Sequence, residues 1–304
     1  MEFEKNAFEP AIGKAWEEER EGKSLTYWQD VLRRLKKNKP ALVCLGIIAL
    51  LLLGSFLIPS ISGYSYSEQN LEKNNLSFME EGHLFGTDKL GRDLFTRVFF
   101  GMRISLTIAF ASVLINLCVG ALYGGIAGYM GGRVDEVMMR LVDIIIAIPH
   151  LIIVILLMIV MEPGMITIII AYATVGWTGM ARLVRGQVVM LRENEYVTAS
   201  RLLGGGAWHI IAKHLLPNTL GVIIVNLTLT IPSAIFTEAF LSYIGLGVQI
   251  PLASLGTLAS DGAKSFRLYP SQLFIPASFL CLTMLSFNLF GDALRDIIDP
   301  KLRK

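Results

Sequence analysis

Residues 195–218 read EYVTASRLLGGGAWHIIAKHLLPN, a polar, amphipathic island set between two long apolar runs. Tyr196 to Leu203 contains no breaker and predicts one helix. Gly204, Gly205 and Gly206 follow, and consecutive glycines are costly inside a helix but permit a sharp change of direction. From Ala207 helical spacing resumes, with Trp208, Ile211 and Leu215 on one face and His209 and Lys213 on another. Pro217 predicts the end of this second helix, because proline has no N–H to continue the ladder. A bent helical pair between two apolar runs is a shape that a soluble partner can grip at a membrane surface.

The surrounding composition is that of a membrane protein. The chain has 304 residues, 53% hydrophobic and 17% charged, where a soluble domain carries about 25% charged residues. Six apolar runs, near 41–59, 104–128, 142–160, 165–181, 219–247 and 271–290, approach the ~20 residues that a bilayer core demands of a helix. The expected fold class is therefore an all-α membrane protein with six transmembrane helices. Pro232 in the fifth run predicts a kink or tilt. Twenty of the 27 basic residues fall in 1–40, 129–141, 182–218 and 291–304, against seven in 60–103 and 248–270. By the positive-inside rule both termini and the 182–218 loop are expected in the cytoplasm. Cys44, Cys118 and Cys281 all lie in apolar runs and predict packing, neither a disulfide framework nor a metal site.

The 195–217 stretch resembles the cytoplasmic coupling loop of ABC importer permeases, whose pattern is E-A-A, three residues, Gly, nine residues, Ile, one residue, Leu-Pro. Thr198-Ala199-Ser200 fills the first slot, Gly204 the glycine, His214 the isoleucine and Leu216-Pro217 the end. Thr stands for Glu, Ser for the second Ala, and His for Ile, so a charged contact with an ATPase falls to Glu195 and Arg201. Tyr196, Leu202 and Trp208 complete the expected ATPase-coupling set. Four further blocks are similar to the oligopeptide/dipeptide/nickel branch: 86–106, 131–149, 241–258 and 287–300. The chain thus resembles, over about 80–304, a C-type permease of that branch.

The resemblance implies a type I ABC importer permease fold and a non-catalytic subunit. Its implied partners are a second homologous permease, two cytoplasmic ABC ATPase subunits that bind ATP and Mg, an extracytoplasmic substrate-binding protein and the lipid bilayer. No nucleic acid and no cofactor of this chain's own is implied. The implied home is the inner or plasma membrane of a prokaryote, and the cargo an oligopeptide or dipeptide, with nickel or another small chelate as the alternative. An autonomous secondary transporter is the alternative from another class; it would place ion-coupling charges at the midplane, and few are present. The resulting division is 1–40 as an N-terminal cytoplasmic segment, 41–59 as the first span, 60–103 as an external segment, and 104–304 as the core permease domain.

Individual residues add detail. Gly120, Gly124, Gly128 and Gly132 recur every four residues, a spacing that lets another helix approach closely. Ser24 is a candidate N-cap for a helix over 25–37 whose Leu25, Trp28, Leu32 and Leu35 share a face above a basic end, which suits an interfacial helix; a disordered tail is the other reading. Leu90, Leu94 and Val98 suggest a short helix at the outer surface, and 248–270 a second external loop; either meets a binding protein or is a solvated cap. Asp143, beside Arg140, is expected to be structural. His150 is expected to be a hydrogen-bonded structural residue. Gly262-Ala263-Lys264-Ser265 lacks the adjacent Gly-Lys-Ser of a phosphate loop. Glu238 lies well inside the fifth run, where a carboxylate is expensive. It either lines a substrate path or pairs with a polar group of a neighbouring helix or of the second permease.

Overall fold

A computed structural model describes residues 27–298. Ser24 and Leu25, with the rest of 1–26 and 299–304, lie outside the described residues. Ten helices carry the described chain: α1 Tyr27–Lys37, α2 Lys39–Ile61, α3 Leu94–Met130, α4 Gly132–Ala147, α5 His150–Met161, α6 Met165–Leu191, α7 Glu195–Leu202, α8 Ala207–Tyr243, α9 Leu255–Ser265 and α10 Ser271–Ile298. Five of them, α2, α3, α6, α8 and α10, are long and apolar enough to cross a membrane.

The third expected span, 142–160, is not one rod. It is built from α4 and α5, which meet at a bend of 77°. The break follows from Pro149: the residue before a proline is pushed out of the helical region, and Ile148 sits at φ −84°, ψ 124°.

The helix expected to start near 104 instead begins at Leu94. Asp93 caps it, accepting from the Thr96 N–H at 2.7 Å. The separate surface helix expected around Leu90 is therefore the first turns of α3, with Leu94 and Val98 buried in the core. The 248–270 loop also holds a helix, α9, whose Ser254 and Thr257 form a reciprocal capping box. Leu255 and Leu258 pin it into the core against Val98 and Met102.

Helices α3 and α6 approach closely along a line of glycines. A Cβ on Gly120 would sit 2.6 Å from both the Met180 Cβ and the Trp177 carbonyl. One on Gly124 would land on the Ala181 carbonyl, and one on Gly128 would come within 2.9 Å of the Arg185 carbonyl. Backbone approach of this kind substitutes for the hydrophobic drive that lipid removes. Gly132 leaves the series: it opens α4 at φ +53° with no neighbour within reach.

At the N-terminal side, α1 lies on the middle of α8 and the end of α10. Val31 packs with Val225, Leu294, Ile297 and Ile298, and Leu35 joins them. Trp28 and Leu32 point away from this contact and are exposed. The predicted face is thus divided: Leu35 joins Val31, which lay outside that face, against protein, while Trp28 and Leu32 turn to the surroundings. Helix α8 runs through Pro232 without interruption.

Candidate functional site

The 195–217 stretch forms a compact hook at one end of the bundle. Its first helix, α7, stops at Leu202, and Gly204 takes φ +86°, a left-handed conformation that closes the helix end. The Gly205 N–H donates to the Ser200 carbonyl at 2.9 Å, which fixes the turn. The chain re-enters a helix at Ala207. Pro217 does not end it, contrary to the sequence expectation. A π turn over Ile211–Leu215 widens the ladder just before the proline, and the Asn218 side chain donates to the His214 carbonyl at 2.6 Å. Hook and span are therefore one continuous helix.

Inside the hook, Val197, Ile210, Ile211 and Leu215 close a small core against Val184 and Val188 of α6. This replaces the predicted face of Trp208, Ile211 and Leu215: Trp208 turns outward and Ile210 takes its place. The result is an apolar knob. Leu202 is 84% exposed, Leu203 89% and Trp208 60%. Thr198 and Ala199 are also exposed and Ser200 is half-buried beneath the turn. The Tyr196 ring lies 6.3 Å from that of His214, which in turn lies 5.6 Å from His209. Glu195 is exposed at the start of α7, while Arg201 reaches back over the Tyr129 ring at 5.6 Å. Arg192 donates to the Gly128 carbonyl at 2.9 Å, so the base of the hook is tied to the end of α3.

Farther along, α3, α6 and α8 enclose a cavity of about 430 Å³ whose polar lining comes from Asn116, Tyr172, Asn226, Thr230 and Ser233. Glu238 is not part of it. Its side chain is fully buried, 0% exposed, and accepts from Ser105 at 2.9 Å and from Ser242 at 2.7 Å. Ser105 in turn accepts the Leu255 N–H at 3.2 Å, and Ser242 lies 3.4 Å from Ser254. The carboxylate thus sits at a knot of α3, α8 and the start of α9, all within this chain.

Two ion pairs escape the sequence. Asp143 meets Arg182 of α6 at 2.5 Å rather than its neighbour Arg140, and Asp135 takes Arg185 in a bidentate fork at 2.5–3.2 Å. Both clamp α4 to α6. Spacing along α4 offers only in-helix partners, so nothing local pointed to them. The ring of His150 lies edge-on to Tyr172 at 5.5 Å, and its Nε2 has no hydrogen-bond partner, unlike the bonded residue expected.

These features sit on a chain whose relatives are well marked. The family model for the "Binding-protein-dependent transport system inner membrane component" matches residues 120–304, and that for the "N-terminal TM domain of oligopeptide transport permease C" matches residues 26–77. The chain is 51% identical, over 99% of its own length and 98% of the other, to an oligopeptide transport system permease protein, OppC, of Bacillus subtilis. A dipeptide transport system permease protein, DppC, of the same organism is 50% identical over 92% of this chain and 88% of its own. OppC of Escherichia coli K12 is 44% identical over 93% of each chain. Among solved structures, the inward-facing MetNI methionine ABC transporter is similar in fold, with a TM-score of 0.50 at 19% identity, covering 65% of this chain and 94% of that one. The apolar helices, the hook between two of them and these matches together establish that the chain is a multi-pass membrane protein belonging to the binding-protein-dependent transport system inner membrane components, in their oligopeptide and dipeptide permease C branch.

Proposed function

We propose that this permease subunit carries short peptides inward, as its relatives' names say of them, and that the hook at 195–217 is where an ATPase takes hold. The observation that carries the reading is the knob: Leu202, Leu203 and Trp208 stand in the open at a rigid, glycine-turned helix end. Exposed apolar side chains on a well-packed support are characteristic of a docking surface. Because the hook is continuous with α8 and tied to α3 through Arg192, a push on the knob passes directly into two helices that wall the cavity. The cavity's lining is uncharged and mixes polar with apolar side chains, suited to a peptide that must bind and leave.

In this reading the hook end faces the cytoplasm, in the plasma membrane of a prokaryote. Two ATPase subunits supply ATP and Mg binding, a second permease completes the conduit, and an extracytoplasmic binding protein delivers cargo. The chain itself holds no cofactor, performs no hydrolysis and binds no nucleic acid. The test is reconstitution of the assembled transporter in liposomes with labelled peptides of two to five residues outside and ATP inside. ATP-dependent peptide uptake is the expected result. Uptake of a nickel chelate but not of peptides would overturn the cargo, and uptake driven by an ion gradient by the permease alone would overturn the ABC mechanism.

A further inference from the structure

The end of α3 opposite the hook carries an imbalance of buried charge. Arg92 and Arg97 are 4% and 3% exposed, and both turn to one carboxylate, Asp88. Asp88 is shared between them: one oxygen accepts the Leu90 and Arg92 N–H groups, and the other takes the Arg92 Nε at 2.7 Å. Arg97 is left at 3.5 Å from that second oxygen, and its Nε has no hydrogen-bond partner. One Nη of Arg97 donates to the Tyr66 carbonyl at 2.8 Å, a neutral contact. A buried guanidinium without a full counter-charge is costly, and another anion would relieve the cost.

Space for that anion exists beside the arginines. A cleft of about 340 Å³ is lined by both of them, by Lys264 of α9, and by Gln249 and Thr257 as neutral hydrogen-bonding groups. Its acidic lining residue, Asp261, is engaged by Lys264 at 3.1 Å and by Lys89 at 3.9 Å. Three cations, Arg92, Arg97 and Lys264, line the cleft with one carboxylate, Asp261, while Asp88 is shared by the two arginines. Glu238 lies nearby but is closed off behind Ser242 and does not line the cleft.

We propose that this cleft is a carboxylate-binding site and that it takes the free C-terminal carboxylate of a short peptide. The peptide assignment rests on the cargo reading above; the carboxylate assignment rests on the charge imbalance alone. Arg97 holds the carboxylate through the edge of its guanidinium that lines the cleft, since a guanidinium matches a carboxylate's geometry. Lys264, exposed at the mouth, adds attraction without fixing geometry.

The test uses the assembled transporter in nanodiscs without binding protein, probed by saturation-transfer NMR with Ala-Ala, its C-terminal amide, and acetate as competitor. The expected result is saturable Ala-Ala binding displaced by acetate, with the amide weaker by about tenfold. Arg97→Gln should abolish the difference between acid and amide. Lys264→Gln, an exposed change with no bearing on folding, should weaken the acid several-fold while leaving the amide unmoved. Equal binding of acid and amide, or an acid affinity indifferent to both substitutions in an intact complex, would overturn the proposal. Displacement of Ala-Ala by ligand-free binding protein would assign the site to an acidic side chain of that protein and overturn the peptide assignment. If liposomes transport no peptide while acetate and Ala-Ala still bind, the cargo reading falls and the carboxylate site stands. If peptide uptake is robust and the acid–amide preference is absent, the site falls and the cargo reading stands.

Discussion

The two ends of α3 invert the usual partition of residues. At the Met130 end, beside the hook, apolar groups stand outside, with Leu202, Leu203 and Trp208 turned to solvent. At the Leu94 end, charge lies inside, with Arg92, Asp93, Arg97 and, one layer deeper, Glu238 all buried. The first arrangement leaves free energy unspent until a partner covers it. The second binds loop 62–93, α9 and α3 into one block through hydrogen bonds that only the folded chain can complete. His83 Nδ1 donates to Asp93 at 2.8 Å, and Gln272 of α10 donates to both the Asn75 side chain and the Thr87 carbonyl. One end therefore shows apolar groups to the outside, while the other folds its charges into a hydrogen-bonded block.

The sharpest way to break this contrast is Gly204→Pro. Proline fixes φ near −65° where the hook holds +86°, a mismatch costing about 3 kcal/mol, equivalent to roughly a hundredfold. The expected outcome is loss of ATP-dependent uptake on that scale with normal membrane level, measured by uptake and immunoblot together. Normal uptake would mean that the hook's bend plays no part in coupling.

At the opposite end, Glu238→Ala should lower thermal stability, because Ser105 and Ser242 lose their acceptor in a closed site. The expected cost is about 1–3 kcal/mol, read as a melting shift of the purified complex. Glu238→Gln, which keeps an acceptor, should cost less and leave peptide uptake intact. A selective uptake defect in the glutamine variant, without a stability change, would instead put Glu238 on the substrate path.

Leu203→Ser sharpens the comparison from the other side. Removing an 89% exposed leucine should not lower the melting temperature, yet should weaken ATPase association about tenfold in a pull-down titration. Destabilisation without loss of association would mean the knob serves the fold. The smallest effect is expected for Asp143→Asn. Its pair with Arg182 is half exposed, so the loss should stay below about 1 kcal/mol. A larger melting shift would mark the α4–α6 clamp as a structural pillar.

The positions of the apolar runs were readable because a bilayer demands long apolar helices, whatever the tertiary fold. Their ends were less so. The start of α3 carries a readable cap in Asp93 and Thr96, but hydropathy placed the boundary ten residues later, at 104, where the apolar density rises. The bend at Pro149 was likewise signalled by Ile148-Pro149, and overlooked because average hydropathy does not register direction. Pro217 misled for a different reason. The π turn that absorbs it depends on Ile211 and Leu215 being held by α6, a contact no local window contains. In the hook, the glycine turn was legible, but the choice of Ile210 over Trp208 for the core was made by Val184 and Val188. Glu238 had one readable partner, Ser242, a helical turn away; the other, Ser105, lies 133 residues earlier and becomes a neighbour only when α3 and α8 pack.

Helix α3 has 37 residues, which at 1.5 Å each gives a rod of about 55 Å, well beyond a hydrocarbon core of about 30 Å. Its length exceeds the core, which gives any rotation of the rod a long arm. Rotation of such a rod by about 10° around its midpoint would carry each tip about 5 Å, in opposite directions. Gly128, held by Arg192, rides near one tip, and Arg97, facing the charged cleft, rides near the other. A rotation that is slight at the midpoint is thus large enough, at the tips, to open or shut a space the width of a side chain.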